Sequence, residues 1–225
     1  MENWEIYLSR SGSTVTTRGL TIYSSAPSIR NLYISMEDSS GSANAYGIYV
    51  TGDGWPEIYN SQEVIEEFDS SHGIAFVDDG VDAADDITPR VKNLDIHIEN
   101  SSVSAQGITY QDLTGNAGMY IEGLTMSLTG VNSPIGVRVV RNTATTTLKN
   151  YDVYVDGSAS STTVYGLITT SSAIDVNNLK VLLRMPPALF ARSTSIVAAH
   201  LLPIAASKAR LAMPQRKFTL IHLPD

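Results

Sequence analysis

Apolar and polar positions alternate along this chain in a phrase that returns about every thirty residues. The phrase reads apolar-x-Asn-apolar-x-apolar-x-apolar, then a polar stretch, then x-Gly-apolar. The first clear copy runs from Ile29 to Val50 as IRNLYISM, EDSSGSANA and YGIYV. Further copies begin at Ile58, Val91, Ile121, Leu148 and Val176, at spacings of 29, 33, 30, 27 and 28 residues. A period of this size marks stacked units that bury their faces only against their neighbours. In the copy at Val91, Leu94, Ile96 and Ile98 alternate with Asp95, His97 and Glu99. Period two of this kind predicts a strand with one buried face. At Ile58 the pattern fails, because Ser61 and Glu63 hold apolar positions, and a bulged coil or an insertion is expected there.

After the polar stretch each copy carries a glycine and a second short strand, as in Gly47-Ile48-Tyr49-Val50 and Gly107-Ile108-Thr109-Tyr110. The glycine admits a backbone angle or a close approach that a side chain would block. A third strand is expected to lead into the Asn position, for example over Thr145–Leu148. Asn31, Asn60, Asn93, Asn150 and Asn178 share one phase of the repeat, with Gly123 standing in the remaining copy. Asn tolerates left-handed turns, and amides stacked at one corner can bond from coil to coil, so these positions are expected to form a structural ladder. The expected fold is all-β: a parallel β-helix (solenoid) of about six coils, with an irregular or helical C-terminal tail. An antiparallel sandwich would not need the same Asn at the same phase in every unit.

Charge divides the chain where the repeat ends. Residues 1–183 hold 9 Lys/Arg and 22 Asp/Glu, whereas residues 184–225 hold 6 Lys/Arg and 1 Asp. The expected domains are therefore a repeat domain over 1–183 and an atypical basic tail over 184–225, either a cap or a segment foreign to the fold. The overall net charge of −8 argues against a nucleic-acid backbone as partner. With no cysteine there are neither disulfides nor thiolate metal sites. The start, MENWEIYLSR, shows no signal-peptide pattern, and no apolar run approaches the roughly 20 residues of a bilayer span.

The segments SSAPSIRNLYIS, ANAYGIYV and SSTTVYGLIT resemble the right-handed parallel β-helix repeat proteins, in particular an uncharacterised bacterial group with recurring phrases of this kind. The resemblance covers roughly residues 15–183. It implies a pectate-lyase-like fold, which hosts polysaccharide lyases and hydrolases, phage tail spikes and surface adhesins, so it implies architecture more than activity. Hydrolases of this fold use aspartates and a His-Gly beside one groove. Here Asp78-Asp79 follow Ser71-His72-Gly73, the reverse of that order, and His72 holds the variable place before the repeat glycine. A lyase would need a basic residue and usually calcium. Arg138 and Arg141 in GVRVVRN are candidates for binding sugar carboxylates, with Arg138 expected to point outward between Val137 and Val139.

The densest charge is DDGVDAADD, where Asp78, Asp79, Asp82, Asp85 and Asp86 are the candidate ligands for calcium, the only cofactor this chemistry suggests. Among the repeated tyrosines Tyr46, Tyr49, Tyr110, Tyr154 and Tyr165, Tyr110 is expected to face inward and Tyr49 outward. Tyr49, Arg138 and Arg141 are thus the candidate carbohydrate contacts. The leading functional expectation is a non-catalytic structural or adhesive module, extracellular or on a cell surface, with a polysaccharide or cell-surface glycan as partner and a monomeric or side-by-side trimeric state. The alternative is a polysaccharide lyase or glycoside hydrolase.

Overall fold

A computed structural model describes residues 1–10, 15–39, 43–52, 56–77, 89–111, 118–156 and 164–184, with the side chains of 141–144 and 170–173 excepted. The tail beyond residue 184 and Asp78 to Asp86 lie outside the described residues. The strands are β1 (Glu2–Arg10), β2 (Thr17–Tyr23), β3 (Ser28–Asp38), β4 (Asn44–Thr51), β5 (Glu57–Glu66), β6 (Ser70–Val77), β7 (Arg90–Glu99), β8 (Ser104–Gln111), β9 (Tyr120–Thr129), β10 (Pro134–Asp156) and β11 (Tyr165–Arg184). Every pairing is parallel. Odd strands stack in the order β1-β3-β5-β7-β9 and even strands in the order β2-β4-β6-β8, and β10 and β11 run through both stacks. The result is an all-β parallel solenoid with a coil count close to the six that the repeats predict. No helix of the described residues is long and apolar enough to cross a membrane.

The Asn phase of the repeat is a corner. Asn31, Asn60, Asn93, Asn150 and Asn178 all have φ between 50° and 56°, and Gly123 takes the same place at 71°. A left-handed backbone costs most L-residues about 1–2 kcal/mol, and Asn is among the few that accept it. The amides join across coils: Nδ2 of Asn93 donates to Oδ1 of Asn60 at 2.9 Å, and Asn178 donates likewise to Asn150. Asn31 donates to Asn3 at 2.8 Å, so the ladder has a rung one coil before the repeat copy at Ile29. At this corner the backbone bends without leaving the ladder. The stretch expected as a separate third strand is therefore continuous with the next, as in β9, where Gly123 sits mid-strand.

Inside, the two walls interlock. The column Ile34, Glu63, Ile96, Met126, Val181 projects from the odd wall toward Gly19, Gly47, Gly73, Gly107 and Gly166 of the even wall. None of those glycines has a positive φ, so close approach, rather than backbone angle, is what selects them. The coil at Ile58 departs from expectation. β5 holds register with β3 on one side and β7 on the other, without a bulge, and Ser61 and Glu63 occupy true core places at 4% and 0% exposure. The irregularity is chemical: a carboxyl group lies in the interior. A methyl group at Gly47 would meet Glu63 Cδ at 2.8 Å, so the carboxyl fills the glycine's space.

Candidate functional site

Chemistry separates the two outer faces. On the odd wall, charges meet opposite charges or rings on adjacent coils. Arg30 lies 3.8 Å from Glu2, Lys92 lies 3.3 Å from Glu122, and Lys180 lies 2.7 Å from Asp152. Lys92 and Lys149 flank the Tyr120 ring at 5.5 and 5.4 Å. The even wall is built differently. β2, β4, β6, β8 and the first part of β10, Pro134–Val140, contain no Asp or Glu at all, yet carry Arg18 and Arg138. In a chain of net charge −8 this is a local reversal of sign.

Strand register places the outward side chains of that wall in columns. One reads Arg18, Tyr46, His72, Gln106, Ile135, Tyr165; the next reads Thr21, Tyr49, Ala75, Thr109, Arg138, Ile168. At one end of the face the rings form a cluster. The Arg18 guanidinium lies 4.0 Å from the Tyr49 ring centroid. Tyr46 and Tyr49 meet edge to face at 5.2 Å, and Tyr46 stacks on His72 at 4.6 Å and 14°. Burial raises the Tyr46 phenol pKa, with Tyr49 adding to the effect, so the ring stays neutral. Beyond the cluster the face narrows to small side chains, Ala75 and Thr109, with Thr109 Oγ1 donating to Gln106 Oε1 at 2.8 Å. Arg138 stands at the far side, exposed. From Tyr49 to Arg138 is three coil spacings, about 14 Å.

His72 is the imidazole of this cluster. Burial, with Arg138 adding to it, pushes its pKa down to about 4. It is therefore a neutral imidazole at neutral pH, and its Nδ1 has no hydrogen-bond partner. Inside the coil, burial raises the Glu63 carboxyl to about 8, and neither of its oxygens has a hydrogen-bond partner.

Of the candidate contacts, Tyr49 and Arg138 share one column of the even wall. Arg141 follows on β10, with its side chain outside the described residues. Asp78, Asp79, Asp82, Asp85 and Asp86 also lie outside them. Among the described residues no three His, Asp or Glu side chains gather as a metal site would require. Tyr110 is fully buried, and Tyr154 faces outward near Asp156. Arg18 lies in a coil that precedes the first full copy of the repeat phrase at Ile29. Its signals are present: Asn3 stands one period before Asn31, and Gly19 one period before Gly47.

No protein-family model matches the chain, no curated protein matches it, and no solved structure matches it.

Proposed function

We propose that this protein is a non-catalytic β-solenoid module that adheres to glycans through the outer face of its even strands, at a cell surface or outside the cell. The observation that carries this reading is the pairing of an aromatic cluster with two arginines on a wall whose described strands hold no carboxylate. Pyranose rings offer flat C–H faces that pack on Tyr46, Tyr49 and His72. Sugar carboxylates or sulfates would find the planar, multi-donor guanidinium groups of Arg18 and Arg138. Coil stacking spaces these groups rigidly, so little ordering cost falls on the protein when a chain binds.

A second reading is a polysaccharide lyase or hydrolase of the pectate-lyase-like fold. It is favoured by the unpartnered Nδ1 of His72 near Arg138, which could take a proton. A pKa near 4 makes that nitrogen a weak base at neutral pH, which ranks this reading second. A panel of acidic and neutral polysaccharides, assayed separately for binding and for cleavage, tests both. Binding without cleavage, weakened in Arg138→Ala, is the result expected. Cleavage that is lost in Arg138→Ala would replace the adhesive reading with the enzymatic one.

A further inference from the structure

The outward chemistry of the even wall is arranged along the solenoid axis and not along any one strand. Register sets Arg18, Tyr46 and His72 on successive coils in one column, with Tyr49 and Arg138 in the next. A single strand offers less. Outward on β4 stand Tyr46 and Tyr49, with no cation beside them. Outward on the first part of β10 stands Arg138 with Ile135, and no ring. A ligand laid along one strand therefore meets either the rings or an arginine. A ligand laid across the coils meets both.

The fold also fixes the distance between the two cations. Arg18 lies in β2 and Arg138 in β10, with β4, β6 and β8 between them. Arg18 is in register with Ile135, so Arg138 is four coil steps away and three residues further along the strand. At about 4.8 Å per step and about 3.3 Å per residue, the two backbones stand about 22 Å apart. The charged heads are closer. The Arg18 guanidinium lies 4.0 Å from the centroid of the Tyr49 ring on the next coil, and the charge of Arg138 acts on His72 two coils back. One coil step is close to the length of one pyranose unit in an extended chain, so about four sugars join the two heads.

We infer that the ligand lies along the solenoid axis and bridges Arg18 and Arg138, so that the site takes an extended, linear acidic chain of about four units or more in preference to a single acidic sugar. This rests on the glycan reading of the even-strand face and adds the direction and the length of the ligand. Each guanidinium takes one acid group in a planar fork, and the units between them pack on the tyrosine and histidine rings. Once one end is held, the other is presented to its arginine at high local concentration. A chain too short to span the heads gains nothing from the second cation.

The test titrates the full chain with oligomannuronates graded from dimer to octamer, which are extended chains with a carboxylate on every unit. Neutral cello-oligosaccharides of the same lengths serve as the control. Affinity for the oligomannuronates is expected to rise by roughly tenfold between trimer and pentamer and little beyond, with no such step in the neutral series. Arg138→Ala should remove the step and leave dimer binding as it was. Arg18→Ala should weaken dimer and octamer alike, because Arg18 and the rings form the end that a short chain occupies. Both arginines are exposed, and melting curves check that the variants fold. Affinity that climbs evenly with length, an equal loss for dimer and octamer in Arg138→Ala, or an octamer that does not bind overturns the bridge. The glycan reading survives those results if another acidic polysaccharide binds, and it falls together with the bridge if none does.

Discussion

The two walls of this solenoid share one ladder and one repeat, yet they use charge in opposite ways. The odd wall pairs its ions along the stack: Glu2 with Arg30, Lys92 with Glu122, Lys180 with Asp152. The even wall leaves Arg18 and Arg138 without a carboxylate on their strands and sets the Tyr49 ring beside Arg18. Exposed pairs such as those of the odd wall are each worth about 0–1 kcal/mol, so they keep a long sheet soluble and in register more than they stabilise it. Cations with no carboxylate on the described strands of their wall contribute nothing of that kind along the stack. The contrast teaches that regular architecture explains one face of this molecule and leaves the other with chemistry to spare.

Burial shifts Glu63 on the odd wall and His72 on the even wall, and the two respond to pH in opposite senses. Glu63, raised to about 8, keeps its proton when folded, whereas the unfolded chain releases it near 4.5. Its stability contribution is therefore present below about pH 4.5 and is lost as pH rises through 8. Glu63→Ile should give the largest effect of any change discussed, a stabilisation of about 3 kcal/mol at pH 8.5 that shrinks toward pH 5. Isoleucine already fills the equivalent places at Ile34 and Ile96, over Gly19 and Gly73. Denaturant unfolding at the two pH values measures this, and a stabilisation independent of pH would mean that the buried carboxyl is not protonated. His72, lowered to about 4, runs the other way: its contribution is present above pH 6.5 and is lost as pH falls through 4. His72→Gln should flatten the acid limb of the stability profile while leaving the alkaline limb alone.

Next in size is the corner shared by both walls. Asn93→Ala should cost about 1–2 kcal/mol, from the left-handed backbone and the lost amide bond to Asn60. Asn93→Gly should cost less than Asn93→Ala, and the reverse order would remove backbone strain from the explanation. Smallest is Lys92→Ala, where about 0.5 kcal/mol or less is expected, with no change in ligand binding.

Most of the architecture is legible in the sequence because one residue type recurs at each decisive place. Asn marks the corner, glycine marks the wall that must admit a neighbour, and alternation marks the interior. Three features are not legible. Glu63 breaks the alternation, and sequence alone cannot tell a bulge from a buried carboxyl, since that depends on whether Gly47 leaves room for it. The first coil has its Asn and glycine but lacks the fuller phrase, so Asn3 and Arg18 escape a search begun at Ile29. A second left-handed corner, with Glu67, Asn100 and Gly130 at φ of 65°, 55° and 64°, uses three different residues and so leaves no single-letter signal. The candidate face was half visible. Tyr49 and Arg138 follow from outward periodicity, whereas the stacking of Tyr46 on His72 arises from coil-to-coil register, which the unequal repeat spacings conceal.

The most direct measurement titrates the intact protein with an acidic polysaccharide and compares charge removal on the two walls. Arg18→Ala and Arg138→Ala should each weaken binding by roughly fivefold to tenfold, with unfolding stability unchanged. Lys92→Ala should leave binding as it is. Equal losses from both walls would mean that net charge, rather than the even-strand face, attracts the ligand. No binding to any acidic or neutral polysaccharide would contradict the proposal outright.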